Sequence, residues 1–261
     1  MDQPLNFKTA WQDAWQWRVP LLVLLCAAVV ITVVEYVFLS GSFVRFFPGL
    51  TREYAPGVWY DRWPRGANAP WWGTLLPWAW WVGGTFTLWV LVPWAMAAAL
   101  GFKARDLGLG WHGLHRKWWL YALLLALVAP AVLWASTRDS FTQTYPMLKP
   151  EYCEQWGWRI LLAWWALYGL QFFAVEFFFR GFLLFTLEPK FGLGAIAVMV
   201  VPYTMIHYHK PMPEALGAIV AGTVLGWMAL RSRSIWGGLG VHLAVAIGMD
   251  TLSLWQQDAL P

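Results

Sequence analysis

The chain is short of charge. Asp, Glu, Lys and Arg make up 12% of its 261 residues, against about 25% in soluble domains. A chain this poor in charge cannot cover a water-facing surface. It is also short of cysteine. Cys26 and Cys153 have no metal-ligand spacing and are not expected to pair, so no disulfide framework is read here. Neither a His-Glu-x-x-His nor a paired-cysteine motif is present. No cofactor is therefore expected, and a divalent metal has only weak support. No internal repeat is evident. The first apolar run lacks a small-residue cleavage site and is too long for a signal peptide, so it reads as a span. The net charge of +4 is spread over short loops without a long basic run. That pattern suits lipid headgroups and not nucleic acid.

What the sequence has in excess is apolar residues, at 59%, gathered in continuous runs. Segments 19–39 and 118–136 each approach the ~20 residues that a helix needs to cross a ~30 Å hydrocarbon core. Backbone polar groups in lipid must pair within a helix or around a closed barrel, and unbroken runs without alternation read as helices. The expected fold is therefore an all-α, polytopic integral membrane helical bundle of about seven to eight transmembrane helices. Its spans fall near 19–39, 71–100, 118–136, 159–188, 191–209, 213–230 and 235–255. The second, with Pro77, Pro93 and Gly83-Gly84, is expected to be kinked, tilted or in two pieces. The fourth is long enough to continue past the membrane. The 23 tryptophans cluster at segment edges, where amphipathic rings suit the headgroup level. Phe7, Trp11 and Trp15 recur every four residues and suggest a short interfacial helix over 3–18. Segment 40–70 reads as a polar loop, 101–117 as a compact basic connector and 137–158 as a second polar loop. Gly222 and Gly226 form a small-xxx-small pair that lets helices approach closely. The chain divides into an N-terminal part, 1–100, and a core, 101–261. Positive-inside counting barely favours a cytoplasmic N-terminus; the connector at 101–117 is the better argument for it.

Ionisable residues within spans are expensive in lipid, and each is a functional hypothesis. The C-terminal half holds nearly all of them: Glu176, Arg180, His207, His242 and Asp250, with Glu214 at a span entrance. Glu35 lies near a span end, where a water-facing role is simpler. Glu176 and Arg180 are four apart on one helix face, within pairing distance. As a bland alternative, the pair only makes the helix tolerable in lipid. A lone membrane histidine is more often an interhelical hydrogen-bond partner than a catalyst; two with a carboxylate are less ordinary. At 1.5 Å per residue, Glu176, His207 and His242 lie ~18, ~24 and ~11 Å from their helix ends, so tilted helices bring them together near mid-depth. His209 reads as a loop residue. Glu214 follows Pro213 and suits a helix N-terminus. Asp250 falls on a neighbouring stripe, roughly 80° round and ~12 Å along from His242.

The stretch Glu176-Phe-Phe-Phe-Arg180-Gly181-Phe182 resembles the first motif of the CAAX-processing and bacteriocin-immunity (CPBP, or Abi) intramembrane proteases. Tyr203-x-x-x-His207 is similar to their second motif, usually Phe-x-x-x-His. The Ser234-Ile-Trp-Gly-Gly stretch leading to His242 is similar to the third, and Lys103-Ala-Arg-Asp-Leu-Gly-Leu to the lead-in to the core. There are two departures. Val175 stands where the family has the first of two adjacent glutamates, the one credited with activating water. Ala246 stands where the third motif carries Asn.

The resemblance implies a helical core with a cavity at membrane depth. The activity it implies is peptide-bond cleavage in membrane-associated protein or peptide substrates, in a bacterial cytoplasmic membrane. On that reading Glu176 is the general base, Arg180 orients it, and His207 and His242 hold water and stabilise the oxyanion, with Asp250 and Glu214 as secondary candidates. The departures leave a catalytically inactive scaffold, immunity or partner protein as the alternative. A small transporter is the third reading. The expected partners are such substrates and the lipid bilayer, with no nucleic acid.

Overall fold

Apolar segments that must close their own backbone hydrogen bonds become helices, and every regular element among the described residues is helical. The computed structural model describes residues 17–39, 42–47, 71–111, 113–208, 210 and 212–261. The expected interfacial helix at 3–18, apart from its last two residues, lies outside them, as do His209 and most of the 40–70 loop. Among the described residues seven longer helices organise the chain: α1 (Arg18–Phe38), α2 (Gly73–Ala99), α3 (Leu114–Ser136), α4 (Trp158–Phe191), α5 (Gly194–Met205), α6 (Met212–Ser232) and α7 (Trp236–Gln256).

Six of these are long and apolar enough to cross a membrane, and the chain is a multi-pass membrane protein. The all-α, polytopic bundle is as expected; the expected span at 191–209 holds a shorter apolar helix. Helix α5 has 12 residues and rises only ~18 Å, well short of the hydrocarbon thickness. It stops one turn after Pro202, in a turn at 206–208. Residues 194–208 are thus a half-length helix followed by a turn, and His207 lies beyond the end of the helix. Helix α2 is one continuous segment of 27 residues, with a π turn at Thr87–Leu91 ahead of Pro93. Helix α4 has 34 residues, long enough to extend past the hydrocarbon core.

Helix α4 is the centre of the molecule. Its segment Phe177–Leu184 is π-helical and wholly buried. Phe178 stacks on Trp89 of α2 at 5.2 Å. The extra residue of a π turn rotates the following side chains relative to the preceding ones, and such turns recur at functional sites. This one begins at the residue after Glu176. Gly181 lies within it because the connector passes overhead: a Cβ would come 2.9 Å from the Leu107 carbonyl oxygen.

The connector also fixes the start of α7. Asp106 accepts from the backbone N–H of Lys103 at 2.8 Å, and Gly108 turns the chain at φ 74°. The Ile235 N–H then donates to the Gly108 carbonyl at 2.9 Å, and Trp236 Nε1 donates to Leu109 at 3.1 Å. Helices α5 and α6 form a hairpin whose close approach uses the two glycines. A Cβ on Gly222 would lie 2.8 Å from the Tyr203 ring, and one on Gly226 would lie 2.9 Å from Met199.

The two ends of the bundle differ. One carries Arg233 paired with Glu188, Lys117 bonded to the Arg231 carbonyl and Lys190 over the Trp17 ring. At the other, the expected 137–158 loop holds two short helices, Asp139–Thr144 and Pro150–Trp156, and Tyr145 between them is tied to Glu214 and to Ser253.

Candidate active site

Glu176 is the last residue of the α-helical part of α4, and Arg180 sits four residues on, in the π turn. Both are sealed from solvent. Arg180 Nη1 lies 3.2 Å from Glu176 Oε1. The same oxygen lies 2.8 Å from His242 Nδ1 of α7. The carboxylate is therefore within direct reach of a histidine while paired with its arginine. These contacts are close in distance but poorly aligned: both Glu176 oxygens, the three Arg180 nitrogens and His242 Nδ1 lack a well-formed hydrogen bond. The cluster is held by charge more than by directed bonds, which leaves its hydrogen-bonding capacity largely unspent.

Glycine makes the approach of α7 to α4 feasible. Gly238 faces Glu176, and a Cβ there would collide with Oε2. The Ser234-Ile-Trp-Gly-Gly stretch thus has a steric role: its second glycine clears space for the carboxylate one turn before His242.

His207 reaches the site by another route. A helix end leaves backbone carbonyls without partners, and His207 Nδ1 meets the Tyr203 carbonyl at 2.8 Å. A carbonyl only accepts, so Nδ1 carries the hydrogen and Nε2 of the neutral ring is an acceptor. The His207 ring lies 4.9 Å from that of Tyr203, whose hydroxyl meets His242 Nε2 at 3.1 Å. Glu176, His242, Tyr203 and His207 form one chain of contacts. The histidines are its part-exposed members, His242 at 15% of its side chain, whereas Glu176 and Tyr203 are enclosed.

The structure engages the secondary candidates elsewhere. Asp250 is buried and accepts from Trp164 Nε1 at 2.8 Å. Glu214 accepts from Tyr145 at 2.9 Å and from Lys210 Nζ at 2.5 Å, and the same Nζ reaches the Tyr145 hydroxyl at 3.0 Å. Burial opposes the charge on Lys210, but Tyr168 and Glu214 outweigh it and hold the ammonium above the ordinary lysine range. Val175 is packed in the apolar core, and Ala246 is buried in a second apolar cluster around Trp164. Both cysteines are free. Burial pushes the Cys153 thiol up to about 12.

Among the described residues no three His, Cys, Asp or Glu side chains gather as a metal-ligand set. Glu176 with His242 offers two ligands, and the guanidinium beside them repels a cation. These residues do not fit a divalent ion. In the sequence Tyr203 stands only as a motif position; its hydroxyl contact spans two helices, and its one visible signal is a tyrosine where the resembled motif has phenylalanine.

A family model described as type II CAAX prenyl endopeptidase, Rce1-like, matches residues 156–247. That stretch contains Glu176, Arg180, Tyr203, His207 and His242, and the match is consistent with the CPBP resemblance. No curated protein and no solved structure matches the chain.

Proposed function

We propose that the chain is an intramembrane endopeptidase that cleaves membrane-associated peptide or protein substrates with a Glu/His-activated water. The observation that carries this reading is the sealed carboxylate of Glu176 held at 2.8 Å from His242 Nδ1. A buried ion pair alone would balance the charge of Glu176; His242 adds a second polar partner to the same oxygen from another helix. Intramembrane charge is costly without a function to retain it.

In this mechanism the base is His207 in place of Glu176, whose carboxylate is sealed from solvent, and water is held on His207 Nε2. Its proton passes to that nitrogen as its oxygen attacks the scissile carbonyl carbon. The proton then leaves with the amine as the C–N bond breaks. Glu176 acts through His242. Kept ionised by Arg180, it polarises the imidazole and sets the electrostatics in which the His207 imidazolium forms. Arg180 positions the carboxylate. The reaction uses no metal, so a chelator should leave cleavage unchanged. The proposed division of the chain is a peptidase core over 101–261 with an N-terminal part over 1–100, and the proposed compartment is a bacterial cytoplasmic membrane.

A second reading has its own support. Val175 lies in packed core where the resembled motif carries a carboxylate, which fits a non-catalytic scaffold or partner protein. A cleavage assay in cells with candidate membrane substrates decides between them. Wild type should cleave, whereas Glu176→Gln, His207→Ala and His242→Ala should insert normally and not cleave. Equal activity in wild type and Glu176→Gln would remove the peptidase assignment as stated.

A further inference from the structure

Tyr203 touches three of the four polar members of the site, Arg180, His207 and His242. Its hydroxyl meets His242 Nε2 at 3.1 Å. The Arg180 guanidinium lies 4.1 Å from its ring centroid. Its carbonyl holds His207 Nδ1. The residue is 2% exposed, and Gly222 leaves room for its ring. Phenylalanine would fill the same space, so packing does not account for the hydroxyl. Where Val175 removes a carboxylate from the resembled pattern, Tyr203 adds a hydroxyl.

The donor pattern of His242 follows from its partners. An ionised carboxylate only accepts, so Nδ1 facing Glu176 carries the hydrogen. The neutral ring then offers a lone pair at Nε2, and the Tyr203 O–H donates to it. The tautomer is thus assigned from its neighbours.

We infer that Tyr203 is a positioning residue of this site: its hydroxyl holds His242 in the Nδ1–H tautomer facing Glu176, and its ring keeps Arg180 on the carboxylate. This rests on the peptidase reading. Without the hydroxyl, Nε2 loses its donor, and the ring is free to flip or to exchange tautomers. The contact between Glu176 and His242 is then made only part of the time.

The test uses the full-length protein in lipid nanodiscs, labelled with 15N-histidine, with cleavage kinetics measured in parallel. The His242 signals are assigned by their loss in His242→Gln. In wild type they should report a neutral ring protonated on Nδ1. Tyr203→Phe keeps the ring and its contact with Arg180, so it should remain folded. Its His242 should become a mixture of tautomers, with kcat down about tenfold and KM unchanged, the effect of one neutral hydrogen bond. Tyr168→Phe, which removes a buried hydroxyl that does not bond to the site, should change neither. An unchanged tautomer in Tyr203→Phe, or an unchanged kcat beside an active wild type, overturns the inference. So does a wild-type His242 with its proton on Nε2, a result that needs no variant to fold. An inactive wild type with the expected spectra would instead sink the peptidase reading, because the tautomer is read without cleavage.

Discussion

Glu176–Arg180 and Lys210–Glu214 are both ion pairs four residues apart, and they sit in opposite situations. The first is sealed, at 3.2 Å. The second is at 2.5 Å, with 31% and 30% of the two side chains exposed. The closer pair is the less consequential one. Lys210 and Glu214 meet at the mouth of α6, where Tyr145 adds a hydrogen bond and water can replace what either partner loses. Glu176 and Arg180 lie where no water compensates, and a histidine from another helix shares the carboxylate. Spacing and distance therefore do not rank two such pairs; burial and the third partner do.

The sharpest way to break the comparison is to remove one cation from each pair. Arg180→Ala would strand a carboxylate in low dielectric, and breaking a buried pair costs about 3–5 kcal/mol. The variant should be poorly folded in detergent, with its thermal transition lowered well beyond that of any Lys210 variant. The double variant Glu176→Gln, Arg180→Met should recover most of that stability while staying inactive, because neither charge is left unpaired. If Arg180→Ala melted like wild type, the pair would not be the buried unit described here.

Gly238→Ala acts on the sealed pair by geometry alone. The added Cβ would meet Glu176 Oε2 and push the carboxylate away from His242. Displacements near 1 Å at a reacting centre can cost about 100-fold, so kcat should fall by that order while the protein still inserts. Gly240→Ala, two residues on and roughly 200° round the helix, with open space around its Cβ site, is the matched control and should cleave at the wild-type rate.

How much of this was legible beforehand depends on range. The helical class, the two α6 glycines and the pairing of Glu176 with Arg180 follow from local period and composition, and the structure has them. The length of α5 was not legible. An apolar run continues to 206, and hydropathy does not register where a proline-bearing helix stops, so the run reads as a span that includes His207. The π turn after Glu176 was also invisible, since 4.4-residue turns leave no apolar period of their own in an all-apolar stretch. Contacts between distant segments were the hardest to foresee. Nothing local tells that Asp250 belongs to Trp164 or Glu214 to Tyr145 and Lys210.

Val175→Glu tests the departure that the sequence made most visible. Val175 is packed in the apolar core beside Ala174 and Phe178. A glutamate there must stay neutral, displace core side chains or turn into the site. An unsatisfied polar group in such a place costs about 1–3 kcal/mol. The expected outcome is a modestly less stable protein with no more than about a twofold change in cleavage, well within the scatter that such context effects carry. A silent wild type that gains strong activity on Val175→Glu would show the natural chain to be a non-catalytic relative, and the histidines to be relics of a lost site.

The smallest effect belongs to Lys210→Met. The Lys210 ammonium is enclosed by Tyr145 and Glu214 although about a third of the side chain is exposed, so its contribution is that of a partly solvated pair, about 0–1 kcal/mol. In the folded chain its titration lies above the ordinary lysine value, because the attraction of Tyr168 and Glu214 exceeds the cost of burial. A raised lysine pKa contributes stability that is fully present below the unfolded value, near 10.4, and lost as pH rises through the folded one. The melting temperatures of wild type and Lys210→Met should therefore differ by a constant few degrees or less from pH 6 to 9, converging only in more alkaline buffer. The cleavage rate should be unchanged across that range, since this pair touches neither Glu176 nor His242. A Lys210→Met variant that lost cleavage with its melting temperature intact would place the mouth of α6 in the reaction, and the line drawn here between a structural and a functional ion pair would have to move.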